Sequence, residues 1–113
     1  MNLTNISQIV EITDYWFIGL METIAYQADS TATTLGALRA VFNTLATKTG
    51  DSQSTATSIG ALRVDFNAML ATQLAAGHIT AQADSTATSI GALRVDFNAL
   101  LANMIAKGYM NPS

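Results

Sequence analysis

The sequence predicts an all-α protein: an N-terminal helix followed by three short helical repeats that wind together as a supercoiled, coiled-coil-like homotrimer. Three observations predict it. The stretch STATSIGALRVDFNA, Ser54 to Ala68, recurs letter for letter from Ser85 to Ala99, and a weaker copy, STATTLGALRAVFNT, begins at Ser30. Repetition at this period is the mark of a structural array, in which one unit is built several times. Within the third copy Ile90, Leu93, Phe97, Leu100 and Met104 alternate steps of three and four, the a/d seam of a coiled coil. Only 12% of the 113 residues are charged while 50% are apolar, against roughly 25% charged in an ordinary soluble domain. Much of the surface is therefore expected to be covered, by copies of the chain or by a larger particle.

The N-terminal element is expected over residues 4–26. Ile6, Ile9, Val10, Thr13, Trp16, Phe17, Leu20 and Ile24 recur at helical spacing, with Thr4, Asn5 or Ser7 available to cap the start. Residues 1–38 carry Glu11, Asp14, Glu22 and Asp29 and no Lys or Arg, whereas the remainder holds five basic residues against Asp51, Asp65, Asp84 and Asp96. The chain thus divides into residues 1–27, a candidate attachment helix, and residues 28–113, which divide again into 28–53, 54–84 and 85–113. An amphipathic helix of this kind packs on its own core or docks on a partner. Tyr15, Trp16, Phe17 and Leu20 are the candidate attachment residues, since large aromatics make good interface anchors.

Each repeat reads as one helix, near 32–49, 56–76 and 87–107. Ser, Thr and Asp residues offer several N-caps, and Gly50, Gly77 and Gly108 fall where a C-cap glycine belongs. Whether the STATS segments form the first helical turn or an extended approach is open in the sequence. Gly36, Gly60 and Gly91 lie one turn inside; a helical glycine costs about 1 kcal/mol against alanine, so retaining it in every copy suggests a close backbone neighbour.

The seam comprises Leu35, Leu38, Phe42 and Leu45 in the first copy, Ile59, Leu62, Phe66 and Met69 in the second, and Ile90, Leu93, Phe97, Leu100 and Met104 in the third. Gln73 takes the last seam place of the second copy. Like seams from three chains meeting around an axis bury these residues economically. Behind the seam, Gly91, Ala92, Val95, Ala99, Ala102 and Ala106 form a face of small residues, so the helix expects neighbours on two sides. Arg63, Asp65, Arg94 and Asp96 lie at the edges. Each Arg and Asp are two apart and do not meet along one helix. Two readings stand: a snorkelling Arg with its stem on apolar surface, or inter-chain Arg–Asp contacts that fix register. Asn67 and Asn98, four after each Arg, are placed to hydrogen-bond to it.

Chemistry finds little support. There is no cysteine, hence no thiolate site, and no phosphate-binding loop of the G-x-x-x-x-G-K-[ST] form. The lone histidine, His78, follows Gly77 in a linker without a second ligand nearby. Asp65 and Asp96 are copies of one position, not a convergent acid–base pair. No cofactor or metal is expected, and the reading is non-enzymatic. A net charge of −3 argues against nucleic acid as a partner. The apolar runs fall far short of the roughly 20 residues of a membrane span, and no basic start introduces a secretory signal. Without such a signal the sequons at Asn2 and Asn5 read as chance.

The run Ala83-Asp84-Ser85-Thr86-Ala87-Thr88, with Ile90 and Leu93, then Asp96-Phe97-Asn98-Ala99-Leu100-Leu101-Ala102 and Ala106-Lys107-Gly108-Tyr109-Met110, resembles the C-terminal repeats of tailed-bacteriophage head fibre proteins. The likeness covers residues 27–113; Gly91, Gln73, the truncated first copy and the short chain depart from the pattern. The resemblance implies trimeric, supercoiled repeats projecting from a virion and an N-terminal part that attaches to the capsid. It makes the expected partners the chain itself and a capsid or other virion protein, and the expected location the virion, at the capsid surface before the tail. The rival readings are a tail or neck connector, and a cellular helical-repeat adaptor binding a partner helix.

Overall fold

The computed structural model describes residues 23–112. Three helices form the architecture: α1 (Leu35–Thr49), α2 (Ile59–Ala75) and α3 (Ile90–Ala106). Each begins three residues later than expected, because the STATS segments are extended. Thr34, Ser58 and Ser89 are the N-caps, in β conformation, and their hydroxyls accept from the backbone N–H of Ala37, Ala61 and Ala92. A hydroxyl at this place satisfies one of the free N–H groups of the first turn.

The expected C-cap glycines are found: Gly50, Gly77 and Gly108 have φ of 79°, 80° and 86°. Behind Gly77, His78 N–H donates to the Gln73 carbonyl and Gly77 N–H to that of Leu74; Tyr109 and Gly108 repeat the pattern on Met104 and Ile105. These paired bonds close the last carbonyls of α2 and α3. Gly36, Gly60 and Gly91 differ from expectation. A Cβ at Gly36 would meet nothing within 4 Å, and at Gly60 or Gly91 only the guanidinium of Arg63 or Arg94, at 3.9 and 4.0 Å. No backbone approaches them, and nothing in the structure explains their recurrence.

The three helices run parallel. Arg39, Arg63 and Arg94, each the fifth residue of its helix, all contact the extended residues that immediately precede a helix, so the three N-termini share one end of the bundle. Chain geometry allows this. α1, of 15 residues, is about 22 Å long at 1.5 Å per residue. The nine residues 50–58 cover about 30 Å when extended, enough to bring the chain back to the starting end. Residues 76–89 do the same after α2. Each return segment, here called a strap, lies along the helices rather than looping into solvent. The first strap covers residues 23–34, the second 51–58 and the third 79–89.

The seam residues meet in the centre. Leu38, Leu62 and Leu93 occupy one level, Phe42, Phe66 and Phe97 the next, then Leu45, Met69 and Leu100, and all are buried. The Phe66 and Phe97 rings lie 6.4 Å apart at 54°, a tilted arrangement favourable for aromatic pairs. Ala46, Leu70 and Leu101 add a further level, and Met104 closes α3. Leu35, Ile59 and Ile90 are only half-buried, at the open N-terminal end. At the other end Ile24, Ile79, Tyr109 and Met110 cover the core, and Ile24 pairs with Met110 in a parallel bridge. Residues 23–26, the end of the expected N-terminal helix, are extended; the rest of that element, with Tyr15, Trp16, Phe17 and Leu20, lies outside the described residues.

The seam expected between three chains is thus formed between three repeats of one chain. Every seam residue except Ile59 contributes to, or packs against, a single core cluster. The all-α reading holds. The buried seam residues of α1, α2 and α3 form the centre of a parallel three-helix bundle.

Candidate functional site

The repeated polar residues form one device, used three times. At the first joint Arg39 Nη1 donates to the Ala56 carbonyl at 2.6 Å, Asn43 Oδ1 accepts from Ser54 N–H at 2.6 Å, and Asn43 Nδ2 donates to the Ser54 carbonyl at 3.0 Å. At the second, Arg63 reaches the Ala87 carbonyl at 2.6 Å, while Asn67 brackets Ser85 at 2.7 and 3.1 Å. At the third, Arg94 reaches the Ala32 carbonyl at 2.6 Å, and Asn98 brackets Ser30 at 2.7 and 3.1 Å. Each helix therefore holds the strap of the next repeat, and α3 holds the strap of the first. The ring closes.

The physical logic is that of an edge strand. An extended strap presents backbone N–H and C=O groups that must find partners when buried. The carboxamide of Asn offers one acceptor and one donor in a plane, so it pairs with both groups of a single residue, as a neighbouring strand would. Arg at i and Asn at i+4 share a helix face, and they reach two sites on the same strap. The Arg–carbonyl bonds are charge-assisted and short.

A second element ties each strap to its own helix. Ser54 Oγ donates to Asp65 Oδ2, and Ser85 Oγ to Asp96 Oδ2, both at 2.6 Å. The same hydroxyls accept from Ala56 and Ala87 N–H. In the first repeat Val41 stands at the aspartate position, so among the described residues the Ser30 hydroxyl keeps only the bond from Ala32 N–H. Strap residues three before each Ser also differ. Gln82 donates to the Asp96 carbonyl and accepts from Asn103. Gln27 donates to the Val41 carbonyl, but its buried Oε1 has no hydrogen-bond partner among the described residues.

Arg63, Asp65, Arg94 and Asp96, expected to make inter-chain contacts, all find their partners within the chain. Arg meets a carbonyl, not a carboxylate, and Asp meets a serine. Asn67 and Asn98 hold strap backbone rather than Arg. The pairing of Asn with Ser was not visible from the repeat; its only trace was that Arg, Asn and Ser recur together in all three copies.

Gln73, out of place in an apolar seam, is explained by the capped end. It is 2% exposed, and its Nε2 donates to Asp51 Oδ2 at 2.9 Å. Asp51 Oδ2 also accepts from Thr49 Oγ1 at 2.8 Å. Gln73 Oε1 lies 2.7 Å from His78 Nδ1, and because an amide oxygen can only accept, that nitrogen carries the proton. The His78 ring stacks on Tyr109 at 3.6 Å and 6°. The lone histidine thus belongs to the cap. Among the described residues no group of three or more His, Cys, Asp or Glu is placed to hold a metal ion.

The outer faces are plain. Ala61, Val64, Ala68, Ala71 and Ala75 on α2, and Ala92, Val95, Ala99, Ala102 and Ala106 on α3, are exposed, with Val64 and Val95 each 63% exposed. The small-residue face expected from the sequence therefore points outward. No helix among the described residues is long and apolar enough to cross a membrane. Comparison with protein-family models, curated proteins and solved structures gives no match.

Proposed function

We propose that this chain is a non-enzymatic structural protein of a bacteriophage virion, a short head fibre or capsid decoration, in which residues 1–27 attach to a capsid or other virion protein and the repeats project. One observation carries the structural part of this reading. The Arg, Asn, Ser and seam residues that recur in every repeat are engaged in holding the bundle together, which supports a repetition that serves shape. The phage assignment rests on the resemblance of residues 27–113 to head fibre repeats. Bundle closure within one chain refines the expected homotrimer: three repeats here take the place of three subunits, and the projecting unit is a single chain.

Electron microscopy of the source particle, with the protein labelled, tests the location. Label on the capsid surface, lost when residues 1–22 are deleted from an otherwise folded protein, is the expected result. Label at the tail or neck would favour a connector, and absence from the particle would overturn the virion reading. One specific feature favours the adaptor alternative: the exposed Ala and Val positions on α2 and α3, at alternating three and four spacing, have the form of a seam for a partner helix.

A further inference from the structure

The ring of joints has one place where the covalent path does not follow it. The first two joints link neighbouring repeats. The third links α3 to the first strap, between residues 62 and 68 positions apart. Its bond lengths match those of the tethered joints to within 0.1 Å. We propose that this joint opens and re-forms between two copies of the chain, so that copies associate by exchanging the first repeat. In the exchanged dimer each bundle takes its second and third repeats from one chain and its first from the other.

The chemistry of the joints makes the exchange symmetrical. Arg94 and Asn98 recognise backbone groups of Ser30 and Ala32, and these are the same on any copy. The first repeat also lacks two polar ties that the third repeat has. Val41 denies Ser30 the carboxylate that Ser54 and Ser85 have, and the buried Gln27 Oε1 has no hydrogen-bond partner among the described residues. Its helix is two residues shorter than the others, 15 against 17. Release of the first repeat breaks the α3 joint, the α1–second strap joint and the backbone bonds of Ile24 to Tyr109 and Asn111, and all of them re-form on the partner. The chain then crosses between bundles at Gly50–Gln53, where Gly50, Ser52 and Gln53 are exposed. Because the contacts are the same in both forms, concentration decides between them. This is the condition under which swapping is a low-cost route to a dimer. The inference does not depend on where the protein is used.

The test uses full-length chains, one tagged and one untagged, unfolded together and refolded either dilute or near the roughly millimolar effective concentration of a short tether. Mass is read by light scattering, and mixed dimers by capture on the tag. The expected result is mixed dimers of twice the chain mass after concentrated refolding only, which relax slowly to monomer on dilution. Asn98→Ala should speed that relaxation several-fold, whereas Gly36→Ala, where a Cβ meets nothing within 4 Å, should not. A single-chain mass at every refolding concentration overturns the proposal. So does a dimer that forms at once when native protein is concentrated, since that is surface association without exchange. Should Asn98→Ala fail to fold, the wild-type comparison decides alone.

Discussion

Val41 is where the first repeat departs from the other two with a visible structural consequence. Asp65 and Asp96 each accept a hydrogen bond from a strap serine, and Val41 cannot. A buried valine replaced by aspartate ordinarily destabilises, but this site is only half-buried and already holds an unused donor. Val41→Asp is therefore expected to raise stability by about 0.5–1.5 kcal/mol, the net worth of a hydrogen bond, seen as a higher urea midpoint. Asn67→Ala tests the reverse. It removes both bonds to Ser85 and leaves a backbone N–H and C=O without their partners, so urea unfolding should show a loss of about 1–3 kcal/mol.

The helices were legible because seam spacing, capping hydroxyls and terminal glycines agree with one another along α1, α2 and α3. The straps were not, because Ser-Thr-Ala-Thr-Ser has no strand partner in sequence and suits a helix start as well as an extended run. What decides is distant: the Asn and Arg side chains of another repeat, which local pattern cannot reveal. The same distance hid the true partners of Arg63 and Arg94, and made Gln73 look like a flaw in the seam when Asp51 and His78 hold it. The two sorts of glycine should separate by experiment. Gly91→Ala, in a helix with room for a Cβ, should stabilise by about 0.5–1 kcal/mol. Gly77→Ala, at φ 80°, should destabilise by about 1–2 kcal/mol, the cost of a left-handed conformation for an L-residue. Thermal unfolding of both variants reads the difference in sign.

Within one chain the seam residues of three repeats already meet in a common core. Parallel helices cannot be joined by tight turns, and the straps are the solution: they return the chain to the starting end and become part of the wall. Phe97→Ala should cost about 3–5 kcal/mol, and because the ring is buried within one chain that loss should not vary with protein concentration. The most direct test of closure within one chain is the mass of the native protein at micromolar concentration, measured by light scattering together with helicity by circular dichroism. The account predicts a folded species with three-helix circular dichroism and a mass of 11.9 kDa. A species of three times that mass, losing its helicity as it dissociates on dilution, would contradict it.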